Sequence, residues 1–136
     1  MIQHPSLPLM IWLSPAFPVG AFAFSHGLEW AVETGDVHDL TSACAWIEDV
    51  LQHGSGRSDS VVASLAYQLA RDNDETGLRA LSELVAALQP GSERRLETLV
   101  QGQAFVTAIT AAWSTERFLA LRHSCGPDLP YPVAFG

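Results

Sequence analysis

The sequence predicts an all-α fold: an irregular bundle of about six helices, entered through a Pro/Gly-rich N-terminal segment. Two observations carry this expectation. Apolar residues recur at helical spacing in one segment after another, with Gly, Asp and Pro turn signals between them, and no stretch alternates as a half-buried strand would. At 136 residues the chain suits one core rather than two, so a single domain over 1–136 is expected. Its last twelve residues are rich in turn formers and stop as an apolar run begins, which reads as a domain lacking its C-terminal helices.

The elements follow in order. Pro15 and Pro18 fix φ, remove two backbone donors and hold Ser14 and Phe17 extended, while Gly20 permits a turn closed to other residues. Phe17, Phe22 and Phe24 add aromatic area, so Ser14 to Trp30 reads as a stiff, shaped surface. Ser25 is placed to cap a helix to about Thr34, with Gly35 at its C′ position. Asp39 or Thr41 caps a second helix, whose Leu40, Ala43, Cys44, Ile47, Val50 and Leu51 form one apolar face. His53 to Gly56 ends it, and Ser58 or Asp59 opens a third helix that buries Val61, Val62, Leu65, Ala66 and Leu69.

Asp72 to Asp74 breaks that helix. The fourth carries Leu78, Leu81, Leu84, Val85 and Leu88, and stops at Gln89-Pro90-Gly91. Ser92 opens the longest, to about Trp113, with a stripe of Leu96, Leu99, Val100 and Gln103 and a second half apolar on all sides, as in the middle of a bundle. Gly102 inside it costs about 1 kcal/mol relative to alanine, which points to close helix approach or a kink. Glu116 to His123 continues or restarts a helix, and a turn-rich loop from Cys125 follows.

Composition excludes several functions. Fifteen Asp and Glu against seven arginines and no lysine give a net charge of −8, without the basic footprint of a nucleic-acid binder. Arg94-Arg95, between Glu93 and Glu97, reads as an i,i+3 or i,i+4 pairing face. The prolines interrupt the N-terminal apolar run well short of a membrane span, and no secretory leader is evident, so a cytoplasmic protein is expected. With 48% hydrophobic and only 16% charged residues, the chain is apolar for a free monomer, and its surface should be covered by partners or by further chain.

No catalytic constellation, cofactor motif or metal spacing emerges. Two cysteines make no disulfide framework, and Cys44 is expected to be buried. Ser25-His26 are neighbours without a nucleophile elbow, and no phosphate-binding or dinucleotide glycine pattern exists. His26 and Glu29, at i,i+3, are the best candidates for metal or metal-dependent chemistry, with His38 a possible third, but a matching pair from other helices is missing. His4, His38, His53 and His123 fall at helix ends and in loops. Trp46 and Trp113 are expected in the core, while Trp12 and Trp30 stand open between core and partner anchor.

Ser14-Pro15, Pro18-Val19-Gly20, Phe22 and Ser25-His26-Gly27-Leu28-Glu29 resemble the signature of the UreF family of urease accessory proteins, and Glu93-Arg94-Arg95 through Gly102 resemble it more loosely. The resemblance implies an all-α, homodimeric, non-catalytic scaffold for nickel insertion into apo-urease. The resemblance implies further that this scaffold bridges UreD, also called UreH, and the GTPase UreG, and influences GTP hydrolysis. It also implies that Ser14, Pro15, Pro18, Gly20, Phe22, Phe24, Ser25, His26, Gly27, Leu28 and Glu29 lie at or near a partner interface. Phe24 departs from the tyrosine of many members, which removes a hydroxyl contact. Family members are longer, and their C-terminal part is implicated in the UreD contact, so impaired or absent UreD binding is expected of this chain. The alternative reading is a helical metal-binding or metal-dependent enzyme using His26 and Glu29.

Overall fold

The computed structural model describes residues 6–136; His4 and Pro5 lie outside the described residues. The chain forms α1 (Ser6–Trp12), a 3-10 turn (Ala21–Ala23), α2 (Leu28–Glu33), α3 (Leu40–Gln52), α4 (Ser55–Arg71), α5 (Glu75–Ala87), α6 (Ser92–Ala112), α7 (Glu116–Cys125) and α8 (Tyr131–Phe135). No strand occurs among the described residues, and the all-α irregular bundle is borne out.

Several boundaries follow their local chemistry. Asp39 accepts from the Ser42 N–H while the Ser42 hydroxyl accepts from the Asp39 N–H, a reciprocal cap that opens α3. Gly35 follows α2 at φ 83°, the left-handed residue expected there. The Asp74 carboxylate accepts from Gly77 N–H to open α5, and the Thr115 hydroxyl accepts from Phe118 N–H to restart the chain as α7.

Several expectations are corrected. Ser25 does not cap α2: His26 (φ 52°) and Gly27 (φ 80°) are both left-handed, which delays the helix to Leu28. Helix α4 begins at Ser55, so the glycine pair marks a corner rather than a loop. The buried face of α6 is not the Leu96, Val100, Gln103 stripe, which is exposed, but Glu97, Thr98, Gln101, Gly102, Phe105, Val106 and Ile109; its second half is buried on this side only. The C-terminal loop contains α8, and Cys125 is the half-buried last residue of α7, where burial pushes its thiol pKa up.

Helix α8 organises the core by packing against α6 and α4. Its Val133 and the adjoining Leu129 join Ala66, Leu78, Val85 and Val106 in one apolar cluster. Gly102 makes the approach possible: a Cβ there would stand 2.9 Å from Tyr131 N and 3.0 Å from the Pro130 carbonyl carbon, and closer still to the Leu129 carbonyl oxygen. A second cluster joins Phe17 and Val19 to Phe105 and Ile109, with Trp12, Tyr131 and Phe135 packed around it. Trp12 therefore belongs to the core, with edge-on contacts to Phe105 and Trp113 at 6.0 and 6.4 Å. Trp113 is only partly covered and Trp46 is half-buried, so neither is fully buried. Cys44, expected inside, is exposed with Leu40, Ile47 and Leu51, because no described element covers that face of α3.

Candidate interaction site

The segment from Ser14 to Trp30 divides into an anchor and a display. In the anchor, Ser14 Oγ accepts from Ala16 N–H at 3.2 Å and Ser14 O accepts from Phe17 N–H at 2.9 Å, a tight turn carrying Pro15 on its exposed side. That turn drives Phe17 into the aromatic cluster, 5.5 Å from the Phe105 ring, and Val19 follows it inward while Pro18 stays out. Gly20, at φ 75°, reverses the chain into the 3-10 turn.

The display comes next. Phe22 is 90% exposed and Phe24 half-buried; beyond the left-handed pair, Glu29 and Trp30 stand exposed on α2, with Trp30 68% open to solvent. Phe22 and Trp30 are large aromatic side chains on a backbone held by two prolines and a buried phenylalanine. Such preorganised aromatic area suits protein recognition, because little side-chain freedom is lost on contact.

Between display and helices, Ser25 and His26 border a cleft of about 950 Å³, walled by the C-terminal ends of α3 and α5 and the N-terminal parts of α4 and α6. At its floor Glu97 is only 5% exposed. Its carboxylate accepts from Arg94 Nη1 and, at 3.1 Å, from Gln101 Nε2. His26 Nε2 lies 3.7 Å from the same carboxylate, and His26 Nδ1 lies 3.4 Å from Arg94 Nη1. Both ring nitrogens of His26 thus face the Arg94–Glu97 pair. Arg94 Nη2 also reaches Asp59 at 4.0 Å. Burial, reinforced by nearby Glu97 against the opposing pull of Arg94 and His26, raises the Asp59 carboxyl above its usual range.

The pairing foreseen for Arg94 and Glu97 is thus present, but half-buried rather than on a solvated face. Asp59 and Gln101 were not anticipated as its companions; the polar i,i+4 pair Glu97 and Gln101 beside a glycine was the available signal. His26, Glu29 and His38 are not gathered: His26 turns to Glu97, and His38 Nδ1 hydrogen-bonds the Gly35 carbonyl at 2.9 Å. Among the described residues no group of three or more His, Cys, Asp or Glu is placed to hold an ion. No described helix is long and apolar enough to cross a membrane.

The sequence profile described as UreF matches residues 37–136. The chain belongs to the UreF family. It is 48% identical over 128 residues to the urease accessory protein UreF of Rhodopseudomonas palustris strain TIE-1, covering 94% of this chain and 53% of that protein. The same-named protein of Methylobacterium radiotolerans is 47% identical over 131 residues, 96% of this chain and 57% of its own length, and that of Bradyrhizobium diazoefficiens 46% over 128 residues, 94% and 53%. The chain therefore spans about half the length of these UreF relatives, which are named as accessory proteins rather than enzymes. No solved structure gives a significant match. The UreF profile begins beyond Trp30, whereas the aligned spans of these relatives are long enough to take in the signature segment.

Proposed function

We propose that this chain is a non-catalytic docking protein of urease maturation, a single UreF domain working in the cytoplasm as a homodimer. In this reading it bridges a UreD/UreH-type protein and the GTPase UreG on apo-urease, modulates GTP hydrolysis, and so promotes insertion of nickel, which is cargo rather than cofactor. One observation carries it: Phe22 and Trp30 are displayed to solvent by a segment whose Phe17 and Val19 are locked into the core. A purely structural segment would bury its largest aromatic residues; here the rigid backbone holds two of them out.

Ser14, Pro15, Pro18 and Gly20 shape the display, Phe22, Phe24 and Glu29 contact the partner, and Ser25 and His26 tie its base to the cleft. The test is co-purification of the chain with a UreD/UreH-type protein and with UreG, beside Phe22→Ala and Trp30→Ala. Retention of at least one partner by the wild-type chain, lost in the double variant, is the expected result. Equal retention by the double variant would refute the assignment of this surface.

A further inference from the structure

We propose that the cleft bordered by His26 is a second docking site, and that it receives a cationic amphipathic helix of a partner protein. Its lips are apolar and open: Leu88 at the end of α5 is 68% exposed and Leu96 on α6 is 61% exposed, with Val50 and Val62 behind them. An apolar occupant is therefore required to cover them. The inner wall selects the charge. Asp59 and Glu93 line the cleft, Glu97 lies at its floor, and Arg94, the only guanidinium lining it among the described residues, is committed to Glu97 at a true contact and to Asp59 only at 4.0 Å.

Asp59, Glu93 and Glu97 set three carboxylates against Arg94 and His26, so carboxylates outnumber cations around the cleft even with the imidazole charged. Asp59 is already penalised by desolvation there. An arginine or lysine brought in between leucines would give that carboxylate a partner while its neighbours cover Leu88 and Leu96. An acidic or neutral helix would deepen the desolvation without compensation. The helix-in-groove mode supplies both kinds of contact from one face, at i, i+3 and i+4.

This inference rests on the reading of the chain as a docking protein, but a synthetic probe separates the two, since it uses no urease component. The probe is a labelled peptide of leucine and alanine with arginine at every fourth position, titrated into the 136-residue chain by fluorescence anisotropy. Its control replaces each arginine by citrulline, which keeps shape and loses charge. Saturable binding is expected, weakened about tenfold by citrulline, by Asp59→Asn, and by Leu88→Ser with Leu96→Ser. Circular dichroism verifies that each variant is folded.

Equal affinity for the arginine and citrulline peptides, or for wild type and Asp59→Asn, would overturn the proposal, as would absence of binding. Sedimentation of the free chain tests a second copy as the occupant. Self-association abolished by the Leu88 and Leu96 changes would assign the cleft to a second copy and also overturn it. Failure of the peptide with success of the co-purification would leave the docking function intact and remove only this site.

Discussion

Replacing Gly102 by alanine reverses the usual sign of that substitution. In an ordinary helix interior the change is stabilising by about 1 kcal/mol. Here the new methyl would meet backbone, at 2.9 Å from Tyr131 N and 3.0 Å from the Pro130 carbonyl carbon, and nearest of all the Leu129 carbonyl oxygen. Backbone in a docked segment cannot rotate away, so α8 must retreat by roughly 1 Å or more, at an overpacking cost of about 1–3 kcal/mol. The retreat also loosens Leu129 and Val133 in the core and the 3.3 Å hydrogen bond that Tyr131 N–H donates to Thr98. Set against the helical gain, the net loss is about 1 kcal/mol, which for a domain of this size lowers Tm by about 4 °C. Thermal unfolding followed by far-ultraviolet circular dichroism measures it, with Gln103→Ala on the exposed side of the same turn as the control for helix propensity. A Gly102→Ala variant as stable as wild type, or more so, would refute the close-approach account.

Three further outcomes follow from the same geometry. Phe17→Ala, which empties a buried site between Phe105 and Trp113, should cost about 3 kcal/mol in urea unfolding, whereas Phe22→Ala should stay within about 0.5 kcal/mol; equal costs would contradict the division into anchor and display. The Asp39 carboxyl is held below its ordinary value by hydrogen bonds from the Ser42 N–H and hydroxyl, so its stabilising effect is present above that value and is lost as pH falls through the lowered pKa. Acid titration of the helical signal should therefore show a limb that Asp39→Asn flattens, and coincident curves would disprove the cap. Asp59 has the opposite sign: its carboxyl is raised by burial, so its favourable contribution exists while it is protonated and disappears as pH rises through the raised pKa. Asp59→Asn should accordingly stabilise the chain at neutral pH by less than about 1 kcal/mol and lose that advantage in acid; destabilisation at neutral pH would argue that the Arg94 pairing outweighs desolvation.

What sequence could reveal here depended on how local the cause was. The left-handed Gly35 involves residues within one turn and was legible, while the cap at Asp39 was legible as one of two candidates with Thr41, and the restart at Glu116 as one of two outcomes with continuation. Gly102 was legible as an anomaly whose reason, the passage of residues 129–131 across α6, lies far along the chain. The buried face of α6 was misread because hydropathy ranks Leu96 and Val100 above Glu97, Thr98 and Gln101. The polar residues go inside because they find partners there: Glu97 with Arg94 and Gln101, Thr98 with Tyr131. Five residues of α8 are too few to show a helical period, so the element that organises the core was invisible. The face of α3 was read correctly as apolar and its Cys44 wrongly as buried, since periodicity names a face without saying what covers it. For the site, the Pro/Gly/Phe composition disclosed a stiff surface, but only the fold distinguishes inward Phe17 from outward Phe22.

The central claim is that Ser14 to Trp30 holds a partner against its displayed face. Hydrogen–deuterium exchange of the chain, alone and mixed with UreG or a UreD/UreH-type protein, addresses it most directly. The account predicts slowed exchange over residues 20–30 on complex formation, with α7 unchanged. Slowing confined to α7, or residues 20–30 exchanging as fast in the mixture as in the free chain, would contradict it.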